Sequence, residues 1–163
     1  MQIETQENHE TNGAKITSLS VPKWVQNGTE EQIVLDCSYS LSKLEEKNFV
    51  LKWYFGKNRS EVIYHWIPDL DFRFVNGRIQ RRFIWDYCVN TTNDKINKFR
   101  AIAIKRPTTE QNGLYTCEVS SDQGTDSKEA EMIIYESGAT KLNQILQYFL
   151  LFDAIIPLKE LIY

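Results

Sequence analysis

The chain is poor in the groups that catalysis uses. It holds two histidines, His9 and His65, and it has no Gly-x-Ser-x-Gly elbow, phosphate-cradling glycine loop or His-Glu-x-x-His helix. Cys88 and His65 are the only nucleophile and base that can be set beside each other on paper. Nothing supplies the third group that orients such a histidine, so an unpaired cysteine and a surface histidine is the plainer reading. Asp69, Asp71 and Asp86 lack calcium-loop spacing, and no cluster has the spacing of zinc ligands. No enzyme activity, metal, cofactor or small-molecule substrate is therefore expected.

Charge of one sign is lacking too. Nineteen basic and 22 acidic residues give a net charge of −3, and the signs are mixed along the chain, with no basic stripe to suggest nucleic acid. A membrane span is not recognisable: the apolar stretch near the C-terminus is interrupted by Asn143, Gln144, Gln147 and Asp153 and broken by Pro157, whereas a span needs about 20 mostly apolar residues. Residues 1–11 are polar and acidic, with no apolar core of a secretory leader.

What the chain does have is strand pattern. Gln32 to Tyr39 alternates with period two: Ile33, Leu35 and Cys37 on one side, Val34, Asp36 and Ser38 on the other. Phe49 to Phe55 puts Leu51 and Trp53 inward and Lys52 and Tyr54 outward. Further strands are read at Lys15–Val21, stopped by Pro22 as suits a sheet edge, and at Glu61–Ile67, stopped by Pro68. Arg78–Val89 reads as one long or bulged strand, Phe99–Lys105 as a strand with Ile102 and Ile104 inward, and Gly113–Ser121 and Lys128–Tyr135 as the last two. Asp69–Gly77 reads as an aromatic-containing connection. Residues 1–14 read as a polar arm expected to be disordered, and 15–136 as the domain. Residues 137–163 form an apolar tail in which Leu142, Ile145, Leu146, Phe149 and Leu150 fall at helical spacing. Three readings of the tail stand side by side: an amphipathic helix docked on a surface, a lipid-anchor signal removed after Ser137-Gly138-Ala139, or non-native sequence. Lys159 and Glu160 count against the anchor.

The rest is organised around Asn112-Gly113-Leu114-Tyr115-Thr116-Cys117. Tyr115 and Cys117 lie two apart and face one side of a strand, and upstream stand Cys37 in a clean strand and Trp53 in Leu51-Lys52-Trp53-Tyr54. This set of cysteine, tryptophan, tyrosine and cysteine resembles the immunoglobulin domain, for which the same four features are diagnostic. The length of chain between Trp53 and Cys117, with room for added strands, is similar to the variable set of cell-surface receptors and adhesion molecules. Val50-Leu51-Lys52-Trp53-Tyr54 and Tyr115-Thr116-Cys117-Glu118-Val119-Ser120 further resemble the first domain of the insect Beaten path family of neuronal adhesion proteins.

The resemblance implies an all-β, two-sheet Greek-key sandwich of the variable type. It implies a disulfide between Cys37 and Cys117, with Trp53, Tyr115 and Gly113 as its core signature and Cys88 left over. A structural disulfide points to an oxidising compartment, and sequons at Asn27, Asn58 and Asn90 agree with a secreted or cell-surface glycoprotein whose leader lies outside an incomplete sequence. The implied function is recognition of another cell-surface protein, of the immunoglobulin superfamily, through the outward face of the sheet bearing Trp53. Lys52, Tyr54, Tyr64, Trp66 and Glu118 are the expected contacts, alongside Thr116 and His65. A secreted immune-recognition or decoy protein is the alternative, and a homodimer, including one bridged through Cys88, is a further partner arrangement. Two departures stand out. Gln111 occupies a position where variable domains usually place an acid, which implies an unpaired Arg78 or Arg81, and Arg100 falls where an apolar inward residue is expected.

Overall fold

The computed structural model describes residues 13–89, 94–136 and 146–147. Residues 1–12 of the polar arm, the sequon at Asn90 and nearly all of the apolar tail lie outside these residues; Ala14, assigned to the arm, is instead buried in the core. Nine strands are described: β1 (Lys15–Ser20), β2 (Trp24–Gln26), β3 (Gln32–Ser40), β4 (Phe49–Phe55), β5 (Glu61–Ile67), β6 (Phe72–Val75), β7 (Ile102–Lys105), β8 (Gly113–Ser121) and β9 (Thr125–Tyr135). They form a three-stranded sheet, β1-β3-β7, and a six-stranded sheet, β2-β9-β8-β4-β5-β6. Side chains alternate as the period-two pattern requires. Ile33, Leu35 and Cys37 of β3 and Phe49, Leu51, Trp53 and Phe55 of β4 are buried between the sheets. Pro22 ends β1 in the smaller sheet, and the chain then enters the larger one as β2, parallel to β9; proline is tolerated at such an edge because it has no N–H to give a ladder.

The disulfide joins Cys37 of β3 to Cys117 of β8, with their Cα atoms 6.4 Å apart, and so ties one sheet to the other. Trp53 is the cross-strand neighbour of Cys117. It is fully buried, and its Nε1 donates to the Arg100 carbonyl at 3.3 Å. The Tyr115 hydroxyl donates to the Gln111 carbonyl at 2.6 Å and pins the turn before β8. Gly113 enters that strand at φ +149, and a Cβ on it would lie 2.6 Å from the Phe55 ring. Only glycine fits both the angle and the contact.

Four expectations need correction. Asp69–Gly77 is more than a connection: Pro68–Leu70 makes a 3-10 turn, and β6 then pairs with β5 as the outer strand of the larger sheet. Arg78–Val89 is not a long strand. Gly77, at φ +64, turns the chain into 3-10 turns over Gly77–Arg82, which place Ile79 in the core. Only Phe83 then bridges to β7, at Ile104. Alternation of Ile79, Arg81, Phe83 and Trp85 imitates a strand, but one plug into the core is enough to satisfy the apolar residue. Arg100 stays out of the core: its Nε and Nη2 donate to the two carboxylate oxygens of Asp36 at 2.8 and 3.0 Å, a fork geometry that suits guanidinium. Arg78 is paired too. Its Nε lies 3.3 Å from Glu61 Oε2 and its Nη1 donates to the Glu110 carbonyl, while Gln111 Nε2 donates to the Arg78 carbonyl at 2.6 Å. The neutral amide replaces a charge pair with a backbone tie.

Removing the disulfide as the Cys37→Ala/Cys117→Ala pair is expected to cost about 2–5 kcal/mol in urea unfolding. Tyr115→Phe, which leaves the buried Gln111 carbonyl without its donor, is expected to cost about 1–2 kcal/mol in the same measurement.

Candidate functional site

The outward face of the six-stranded sheet is set by register. Lys52 of β4 stands between His65 of β5 and Glu118 of β8, Tyr54 lies beside Thr116, and His65 and Ile67 lie beside Phe74 and Phe72 of β6. Three charged or hydroxyl groups are interlocked at its centre. The Tyr54 hydroxyl donates to Glu118 Oε1 at 3.0 Å. Arg59, from the turn between β4 and β5, pairs through Nη1 with Glu118 Oε2, donates from Nη2 to Ser127 Oγ at 2.6 Å and places its guanidinium 5.6 Å above the Tyr54 ring. Glu118 is thereby held in one position and only 12% exposed. Burial, and then the hydrogen bond to Glu118, push the Tyr54 hydroxyl above the ordinary tyrosine pKa.

Towards the β6 edge the face becomes apolar. Phe72 and Phe74 are 47% and 43% exposed, side by side with half-buried Ile67 and His65. Among the described residues, His65 Nε2 is the one buried side-chain polar atom without a hydrogen-bond partner. Desolvation, and then the charge of Lys52, lower its pKa below the ordinary histidine value.

Of the expected contact residues, the structure brings Lys52, Tyr54 and Glu118 together on this face. Tyr64 and Trp66 are withdrawn from it: both lie in the core, 0% and 1% exposed. The Tyr64 hydroxyl donates to the Phe99 carbonyl at 2.9 Å, and Trp66 meets Phe49 and Phe99 edge-on. The physical cause is a bulge. Trp53 pairs with Tyr64, but its neighbour Tyr54 pairs with Val62, so Ile63 is the extra residue and the in–out parity of β5 reverses across it. Thr116 is also buried, at 2% exposed. Phe72 and Phe74 of β6, not Tyr64 and Trp66, are the aromatic residues exposed at this edge; their alternation with Arg73 is the signal for it in the sequence.

Other expected sites fall elsewhere. Asn58 sits exposed in a turn at φ +56, and Asn27 Nδ2 donates to Glu136 Oε1 at 2.8 Å. Cys88 is a free, partly exposed thiol. Glu45, in the β3–β4 loop, is a buried carboxylate. It accepts from Ser121 Oγ at 2.6 Å and from the Ser42 N–H at 2.9 Å and so anchors the β3–β4 loop to the end of β8. Among the described residues there is no group of three His, Cys, Asp or Glu side chains that could hold a metal, and no helix is long and apolar enough to cross a membrane.

Two sheets locked by a disulfide, with two strands added beyond the tryptophan strand and an ordered outer face, define a β-sandwich of the variable type. The immunoglobulin V-set domain model matches residues 20–135, and the chain belongs to that family. Among solved structures it is similar to the human B7-H4 IgV-like domain, at 15% identity and a TM-score of 0.50, over 72% of this chain and 96% of that one. It is also similar to the Sidekick-1 immunoglobulin domains 1–5, at 14% identity and a TM-score of 0.47, over 77% of this chain and 20% of that one. No curated protein matches.

His65 gives the face a pH signature. Its folded pKa is depressed from 6.5, so the unfolded chain takes up the proton first; the native state is at full strength above the ordinary histidine range and weakens as pH falls towards the lowered value. An NMR titration of the imidazole is expected to read below 6.5, and His65→Gln is expected to flatten that part of the stability profile.

Proposed function

We propose that this domain is a non-catalytic recognition module of an extracellular glycoprotein. It binds another cell-surface protein, itself of the immunoglobulin superfamily, through the outer face of its six-stranded sheet. The observation that carries this reading is the pairing on one face of an exposed phenylalanine edge, Phe72 and Phe74, with the pre-ordered Tyr54–Glu118–Arg59 cluster. Interfaces use aromatic anchors surrounded by polar groups already held in place, because little side-chain freedom is then lost on association. Lys52 lies between the two parts and supplies charge for register. The disulfide supports an oxidising, extracellular setting, and the exposed turn at Asn58 supports a glycan at the end of the face, where it would leave the phenylalanine edge open. The face suits a like-shaped partner sheet, so self-association belongs to the same reading.

A binding screen of the folded domain against a panel of immunoglobulin-superfamily ectodomains, this chain included, tests it. The wild-type domain is expected to bind at least one member, and Tyr54→Ala and Phe74→Ala are each expected to weaken that binding by about tenfold or more, as anchor residues do. Unchanged affinity in both variants would reject this face.

A further inference from the structure

The chain as a whole is acidic, yet one end of the sandwich is basic. The 3-10 turns after β6 carry Arg78, Arg81 and Arg82, and with Gly77, Gln80 and Glu110 these line an open cleft of about 690 Å³. In a 3-10 turn residues three apart stand on the same side, so Arg78 and Arg81 both face the cleft. Arg82 Nη1 donates to the Arg106 carbonyl at 2.6 Å, which fastens this segment to the end of β7 and brings exposed Lys105 and Arg106 alongside. Three of the cations line the cleft, and the end of β7, with Lys105 and Arg106, adjoins it through the Arg82 bond.

Arg78 is already engaged, by the Glu61 carboxylate, the Phe55 ring and the Glu110 carbonyl, and Glu110 is itself among the lining residues. Arg81, Arg82 and Lys105 are left without a carboxylate partner among the described residues. Arg106 and Glu31 are 3.8 Å apart and both largely exposed, at 66% and 89%, a pair worth little in water. Gln111, which packs beneath the cleft, is neutral, and its amide is taken up by Thr108 and the Arg78 carbonyl. Arg81 is exposed and has no partner among the described residues.

We propose that this basic cleft binds a sulfated glycosaminoglycan chain. Guanidinium forks fit the oxygens of sulfate and carboxylate groups, and a linear polyanion can engage Arg81 and Arg82 together with Lys105. Single-stranded nucleic acid is the poorer fit, because such sites stack bases on aromatic rings and no aromatic side chain lines the cleft. The lining shares no residue with the Tyr54–Glu118–Arg59 cluster or the phenylalanine edge.

The test is retention of the full chain on immobilised heparin at about 0.15 M salt, where charges beyond about 8 Å are screened. Wild-type protein is expected to bind, and fully desulfated heparin is not. Arg81→Glu/Lys105→Glu, which touches no internal hydrogen bond described here, is expected to lose about tenfold or more in affinity at that salt with an unchanged thermal midpoint, whereas Tyr54→Ala keeps full retention. Should the double variant lose stability, Arg81→Glu alone decides, with a smaller loss in the same direction. No retention of wild type, unchanged retention of the variant, or equal binding of a single-stranded DNA oligomer would overturn the proposal.

Discussion

The structure depends on one covalent link placed between two layers that otherwise touch only through side chains. Cys37 and Cys117 sit at the middle of β3 and β8, and the bond holds the sheets at a fixed separation while Trp53 fills the space beside it. That arrangement has consequences at the ends of the strands. Tyr115, two residues before the second cysteine, is placed to tie back to the Gln111 carbonyl, and Gly113 is needed so that the chain can pass Phe55 on its way in. The indole N–H reaches the Arg100 carbonyl, while the guanidinium of the same residue turns outward to Asp36. The core, the corner and the outer surface of the small sheet are thus coupled through a few residues.

The two surfaces proposed for binding differ in how they are built. The sheet face is ordered by strand register: each residue stands where the ladder puts it, and the Tyr54–Glu118–Arg59 cluster restricts motion before any partner arrives. The basic end is ordered by irregular structure, a run of 3-10 turns pinned by one plug, Ile79, and one hydrogen bond, Arg82 to Arg106. A regular strand in place of Gly77–Arg82 would have spread the three arginines over two faces of a sheet. The turn keeps Arg78 and Arg81 on one.

Much of the interior was legible because burial repeats with the backbone. Ile33, Leu35 and Cys37, or Leu51 and Trp53, announce a strand and its inner side, since a pleated chain shows alternate side chains to alternate faces. The corner was legible for a related reason: Tyr115 and Cys117 must share a face. Legibility failed where the backbone breaks its own period. The bulge at Ile63 sent Tyr64 and Trp66 inward, and aromatic residues read as contact anchors became core. Arg78–Val89 alternates like a strand although Gly77–Arg82 forms 3-10 turns, because alternation alone does not separate a short helical plug from a ladder. The burial of Glu45 has no local signature, because the Ser121 hydroxyl that makes it tolerable comes from the end of β8, far along the chain, and joins the Ser42 amide of its own loop.

By itself the sequence determined which residues form the interior of each regular strand, where the two sheets are stitched and that proline and glycine punctuate the chain, because these follow from local period and from the chemistry of single side chains. Tertiary structure alone decided which aromatic residues meet solvent, which charges are paired and which cations are gathered. Those depend on register shifts and on the meeting of segments far apart in the chain, and neither leaves a local trace.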